Sequence, residues 1–273
     1  MQQRPHVSAS QMQVFRQCRL RHRLSQVLPR GEYDTGSMAM LAGTLFHGSM
    51  ETWLMCPVEQ RTLENLEGAL TNVAEGHSLE WEHEAYEQAR VYVSKFWRAF
   101  KSFPQWQPTE TEYAFLIPAT DRVDIKGYVD GVHIDHEAKV IRIYEIKTHL
   151  RKPDPVFVVW GSIQSQCYRF ALQYNYPDYH VRSVTYLMVW PQGAMEMTRE
   201  FNAADAAWDA DLRQTVYEMS ELPVMAEKTY QCKYCPYFEN VCLRAEMLGT
   251  DALEILKEAA DEEADDQRDK ANS

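Results

Sequence analysis

The sequence predicts an α/β protein in which a mixed central sheet is flanked by helices, with a helical N-terminal part and a C-terminal cysteine annex. Three observations predict it. Apolar residues recur at helical spacing through roughly the first hundred residues; from Glu112 the period drops to two; strand-like and helix-like stretches then alternate with no internal repeat.

The elements follow in order. Ser8 or Ser10 supplies an N-cap for a helix whose apolar positions Met12, Phe15, Leu20, Leu24 and Val27 share one face, ending near Pro29. A loop with Gly31 and Gly36 leads to a second helix, LAGTLFHGSMETWLM (41–55). A long helical region then covers 62–103, where Tyr92, Phe96, Trp97 and Phe100 recur at helical spacing. That aromatic stripe reads as core, not as a stacking platform for bases. EYAFLIP (112–118), VDIKGYVDGVHI (123–134) and KVIRIYEIK (139–147) read as three strands, followed by a helix over 157–175. VRSVTYLMVW and AMEMTREF form a hairpin around Pro191 to Gly193, and a helix over 204–221 leads into the cysteines. The organisation expected is a helical part over 1–110, a core over 111–222, a cysteine annex over 223–248 that packs on the N-terminal helix, and an acidic, disordered tail over 249–273.

Composition narrows the class. A chain of 273 residues with 45% hydrophobic content can bury a substantial core. No stretch has the length and apolarity of a membrane span, and no leader-like segment opens the chain, so a cytoplasmic, membrane-free protein is expected. The net charge of -12 is unevenly spread. Arg4, Arg16, Arg19, Arg21, Arg23 and Arg30 meet no acid within residues 1–30, whereas the last stretch is dominated by Asp and Glu. The acidic total argues against non-specific coating of DNA, while a local arginine stripe can still hold phosphates.

Chemistry concentrates in GYVDGVHIDHEAKVIRIYEIKTH (127–149). Residues two apart on a strand project from one face, so Glu145 and Lys147 share a space. If the preceding strand pairs alongside, Asp130 reaches the same space at the sheet edge, with the Ile146 carbonyl between. Two carboxylates and a carbonyl suit Mg²⁺ or Mn²⁺, which prefer hard oxygen ligands. Such an ion can polarise a phosphate and acidify a bound water, while Lys147 orients that water or stabilises developing charge. The ordinary alternative is a solvated Glu–Lys pair at a strand end.

This set of residues resembles the PD-(D/E)XK nuclease superfamily, with its restriction-endonuclease-like core, and specifically its RecB-like exonuclease branch, which includes the AddB nuclease domain and the CRISPR-associated RecB-like exonucleases. The likeness spans about residues 8–242 and rests on elements in the family's order. His47 in GTLFHGSME matches the histidine of an early helix, Gly127-x-x-Asp130 the G-x-x-D strand, Glu145-x-Lys147-Thr148 the E-x-K-T strand, and Gln164 with Tyr168 the Q-x-x-x-Y helix. The resemblance implies that Asp130, Glu145 and His47 bind the metal, that Lys147 is catalytic, and that Gln164 and Tyr168 position the substrate backbone. A core histidine and a packed aromatic are the ordinary readings of His47 and Tyr168 in isolation.

Cys232, Cys235 and Cys242 can face one centre, and a closed tetrahedral site needs a fourth ligand, for which Cys18 has the right setting. In the resembled branch a cysteine on the N-terminal helix, in a pattern like SASQMQVFRQC, joins three C-terminal cysteines around a 4Fe-4S cluster. The likeness makes these four residues cluster ligands; Zn²⁺ is the competitor, because four thiolates suit either centre. Cys56 and Cys167 read as core. Arg16, Arg19 and Arg23 offer a route for single-stranded DNA, with a solvated helix face as the equal alternative.

The expected function is that of a metal-dependent DNA exonuclease acting on single strands or free ends in recombination, repair or CRISPR-spacer-like processing, with protein partners in recombination or CRISPR adaptation. The alternatives are a catalytically silent nucleic-acid-binding subunit of a larger complex and a structure-specific endonuclease.

Overall fold

The computed structural model describes residues 4–27, 38–79, 83–101, 108–160, 162–221, 232, 235 and 237–243. The expected tail over 249–273 and the loop with Gly31 and Gly36 lie outside the described residues. In chain order the elements are β1 (His6–Val7), α1 (Ala9–Gln17), α2 (Arg19–Val27), α3 (Met38–Leu54), α4 (Leu63–Gly76), α5 (Glu84–Phe100), β2 (Glu110–Pro118), β3 (Asp124–Asp135), β4 (Val140–Thr148), α6 (Pro155–Trp160), α7 (Ile163–Asn175), β5 (His180–Trp190), β6 (Gly193–Glu200) and α8 (Ala207–Glu221). None of the described helices is long and apolar enough to cross a membrane.

The order of helices and strands follows the periodicity, with four departures. The first helix breaks at Cys18, whose Sγ accepts the Arg21 backbone N–H at 3.4 Å, giving α1 and α2. The region over 62–103 is two helices; Thr62 caps α4 by accepting the Asn65 N–H, and His83 caps α5 by accepting the Ala85 N–H. The helix expected over 157–175 is likewise two, because the Ser162 hydroxyl caps α7 by accepting the Ser165 N–H. β1 adds a strand that two residues are too short to announce.

The described residues fall into two compact units, those within 1–9 and 36–216 and those within 10–35 and 217–273. In the first, the strands form one mixed sheet in the order β1-β3-β4-β5-β6, with β2 also paired to β3. β2 runs antiparallel along β3 from Glu110↔Val132 to Pro118↔Asp124. On the other flank β3 pairs first with β1, at Asp124 and Ile125, and then with β4, from Gly131↔Tyr144 to Asp135↔Val140. Between those two ladders β3 and β4 part, and the sheet forks. β4 then runs parallel to β5 through Glu145↔Tyr186 and Lys147↔Met188.

Helices α3, α4 and α5 bury Phe46, Trp53, Leu66, Leu70, Tyr92 and Phe96 against Ile146, Leu187 and Val189 of the sheet. The aromatic stripe is therefore core, as its spacing predicted: Phe96 is fully buried and packs edge-on to Phe46 and Trp53. Cys167 is buried as expected. Cys56 is a correction. It lies past the end of α3, only half-buried, where its thiol donates to the Thr52 carbonyl. The second unit has its own small core, Leu20, Leu24, Tyr237 and Val241, with Cys18, Cys235 and Cys242 packed against it.

Candidate active site

The fork in the sheet creates the site. Ladder pairing between β3 and β4 stops at Gly131↔Tyr144, and the next residue along, Asp130, spends a side-chain oxygen on the backbone N–H of Ile146 at 2.6 Å. The carboxylate thus satisfies a donor that the departing strand leaves open. This corrects the expected position at a sheet edge, since β4 is an interior strand, and it engages the Ile146 N–H beside the carbonyl expected to face the metal.

Two glycines let the walls close in. A Cβ on Gly127 would lie 2.5 Å from the Phe115 ring, and one on Gly43 would lie 2.9 Å from Thr148 Oγ1. Gly43 therefore brings α3 down onto the end of β4, and His47, one turn on, faces the acids with its Nδ1 4.0 Å from Asp130 Oδ2.

Glu145 and Lys147 meet as their spacing predicted, with Nζ to Oε1 at 2.5 Å, and the Glu145 side chain is only 1% exposed. Its second oxygen, Oε2, is buried with no well-formed hydrogen bond among the described residues. The charges explain the titration. Burial, then the charge of Asp130, raises Glu145 to about 7; burial raises Asp130 to about 6, against the pull of Lys147 and the Ile146 N–H. Burial also works to lower Lys147, but Glu145 and Asp130 outweigh it and hold the ammonium above its usual range. His47 is pushed down to about 4 by burial and by Lys147, so it stands neutral with a lone pair to offer.

Behind these groups α7 brings Tyr168 up, its hydroxyl accepting from Gln164 Nε2 at 2.6 Å. Burial, and then Glu145 and Asp130, hold that phenol well above its ordinary pKa, so it is close to both acids and stays protonated.

A cleft of about 810 Å³ opens over the site. Asp130 and His47 line it, together with Tyr92, which the aromatic stripe assigned to the core, and with Glu51 of α3, Glu112 of β2 and His149, none of which the sequence patterns singled out. Glu112 sits at φ 47° and is raised to about 7 by burial, then by Glu51 and Glu145. Register alone announces its position: the β2 pairing runs Thr111↔Gly131 and Tyr113↔Val129, so Glu112 falls opposite Asp130. Only a known β2–β3 register could have revealed it.

Asp130 and Glu145 beside Lys147, with Glu51 and Glu112 lining the cleft above them, are a donor set that suits a hard divalent cation. Among the described residues no group of three or more His, Cys, Asp or Glu side chains forms a ready metal cage.

The second unit gathers Cys18, Cys232, Cys235 and Cys242, none in a disulfide. Burial, then Cys235, Cys18 and Cys232, push the Cys242 thiol up to about 11; burial likewise raises Cys235. Four cysteines gathered in one unit are a set that a cation could hold as thiolates. Arg19 in the same unit lies 3.7 Å from Glu218 and over the Phe15 ring, while Arg16 and Arg23 are exposed.

Comparison with known proteins gives a consistent picture. A family model for the PD-(D/E)XK nuclease superfamily matches residues 6–242. No curated protein matches the sequence. Among solved structures the chain resembles a protein of Eubacterium rectale described as an inferred exonuclease, at 11% identity and a TM-score of 0.54, covering 85% of this chain and 87% of that one. It also matches a protein called SSO0001 at 14% identity and a TM-score of 0.44, over 87% and 85% of the two chains.

Proposed function

The chain belongs to the PD-(D/E)XK nuclease superfamily, and from that premise we propose that it is an Mg²⁺- or Mn²⁺-dependent DNA exonuclease acting on single strands or free ends, in recombination, repair or CRISPR-spacer-like processing. The observation that carries the reading is the convergence of Asp130, Glu145 and Lys147 at the fork, with the Glu145 carboxylate buried.

Asp130, Glu145 and neutral His47 are the residues that would hold the cation, which when bound polarises the scissile phosphate and acidifies a water. Lys147, kept charged by its two acids, donates to the attacking water or to the oxygen that gains charge. Glu145 fixes the ammonium through Oε1, and its carboxylate would also serve the ion. Gln164 and Tyr168, bonded to each other, would hold the backbone of the strand in line. Cys18, Cys232, Cys235 and Cys242 would hold a 4Fe-4S cluster, with Zn²⁺ the competitor, and Arg16, Arg19 and Arg23 would contact the strand's phosphates.

Digestion of end-labelled single-stranded DNA with Mn²⁺ tests the assignment. The parent degrades it stepwise from an end, chelator stops it, and Lys147→Ala lowers the rate at least 10²-fold. Equal rates for parent and variant would remove the catalytic assignment. Iron and acid-labile sulfide that are present in the parent and lost in Cys235→Ser decide for the cluster; zinc in their place decides against it.

A further inference from the structure

The helices that cover one side of the sheet stop at the cleft. α3, α4 and α5 pack on Ile146, Leu187 and Val189, and α3 reaches as far as Asp130 through His47. Past Asp130, β3 runs on with β2 as a ribbon, which β1 joins only at Asp124 and Ile125. Alternation puts Lys126, Tyr128 and Asp130 on one side of β3, and the register sets Leu116 opposite Lys126 and Ala114 opposite Tyr128. Lys126 and Ala114 are exposed, as are Tyr128 at 52% and Leu116 at 51%. The residues that alternate with them, Phe115, Ile117, Ile125 and Val129, are buried, with Phe115 edge-on to Tyr168 of α7. The ribbon thus has one packed face and one bare face, and the bare face leads out of the cleft from Asp130.

Charge says what that face suits. Among the described residues neither Lys126 nor Tyr128 has an ion pair, a side-chain hydrogen bond or a ring contact. The acids described on this face sit at its two ends, Asp124 held by Arg4 at 2.9 Å, and Glu112 with Asp130 at the cleft. Between them stand a lysine and a tyrosine. An ammonium without a counter-charge favours an anion, and an exposed aromatic ring beside it favours a flat apolar partner. A nucleic-acid strand carries both at every step, as phosphate and base. The spacing suits the same polymer: at a rise of about 3.4 Å per residue, Tyr128 stands about 7 Å and Lys126 about 14 Å along the strand from Asp130. α3 walls the cleft on one side, and away from that wall the ribbon carries the face of Asp130 onward.

We propose that the substrate strand leaves the cleft along the β2–β3 ribbon, with one of its phosphates on Lys126 and a base on the Tyr128 ring. The inference deepens the nuclease reading and rests on it for the reacting phosphate at Asp130.

Binding decides it without turnover. Full-length protein carrying Lys147→Ala is titrated, at fixed Mg²⁺ and several salt concentrations, against a labelled oligothymidylate and the same strand built of abasic nucleotides, read by fluorescence anisotropy. Adding Lys126→Gln lowers the slope of log Kd against log salt by about 0.7, the share of one phosphate contact on a single strand, and Lys126→Arg keeps it. Adding Tyr128→Ala weakens binding of the oligothymidylate about 10-fold without changing that slope, and Tyr128→Phe binds as the parent does. On the abasic strand the Tyr128→Ala loss shrinks to within about 2-fold, because removing the base and removing the ring delete the same contact. Both side chains are exposed, so an unchanged melting temperature shows that the variants fold. An unchanged salt slope in Lys126→Gln, a Tyr128→Ala loss that is equal on the abasic strand, or a parent that fails to bind the strand overturns the proposal. Should the chain without any substitution leave DNA intact with Mn²⁺, the nuclease reading falls, while the anisotropy series still decides whether the ribbon holds a strand.

Discussion

Glu112 stands in a conformation that a strand residue seldom takes. A non-glycine at φ 47° is uncommon, and here the residue is an acid, in register with a second acid, facing a third. Each feature costs stability, and together they are the kind of local strain that folds retain at functional sites. The titration gives the strain a measurable consequence. Glu112 is raised to about 7, so the folded chain without metal keeps a proton that the unfolded chain releases near its ordinary value of 4.5. A raised folded-state pKa means that stability is fullest below that ordinary value and is lost as pH rises through about 7. The lowered histidines His47 and His149 act in the opposite sense, so a variant comparison isolates the acid. In chelator, Glu112→Gln should melt higher than the parent by a margin that widens from pH 5 to pH 8, read by thermal unfolding. A margin that is constant or narrows would show that Glu112 is not pressed by its neighbours.

Among the elements, α3 and β3 carry the precision of the site, and each depends on a missing side chain. Gly127→Ala drives a methyl into the Phe115 ring, a clash with aromatic core that costs about 1–3 kcal/mol. The denaturant midpoint should fall, and Phe115→Leu added to it should recover part of the loss; no recovery would place the strain elsewhere. Gly43→Ala is a different case. Its methyl would lie 2.9 Å from the Thr148 hydroxyl, so something must shift, and a helix that moves off a side-chain end should cost little stability while carrying His47 away from the acids. Rates fall about 10²-fold for displacements of about 1 Å in such settings. The check is kcat/KM beside melting temperature: a large fall in the first with little in the second. Phe96, fully buried among Phe46, Trp53 and Phe100, serves packing, and Phe96→Ala should cost about 3–5 kcal/mol in chemical denaturation.

At the scale of the whole molecule the two units differ in what supports them. The first has a large core on the helix-covered face of its sheet. The second has Leu20, Leu24, Tyr237 and Val241, with three cysteines packed against them. If the four cysteines hold the proposed cluster, a metal staple supplies part of what orders this unit. Stripping metal with a strong chelator should therefore unfold the second unit first. Hydrogen exchange should speed up across α1 and α2 while α5 and β4 stay protected; uniform exchange in the two would show that the cysteines do not brace that unit.

Much of this molecule is legible in one dimension because its signals are local. The period of apolar residues found the strands β2 to β6 and the helices α3, α5 and α8. Two-residue spacing was enough to put Glu145 beside Lys147, since alternation along a strand is a property of the backbone. Caps that split a helix, as Ser162 and His83 do, were harder to see, because periodicity runs through them. Glu51 and Glu112 carry no local signature at all: an acid at those positions is ordinary until the chain folds. What folding alone decided is the fork, where β3 leaves β4 and Asp130 caps the orphaned Ile146 N–H, because strand pairing is set by contacts between residues far apart in sequence. That divergence makes the cleft, and so decides which of many acids share it.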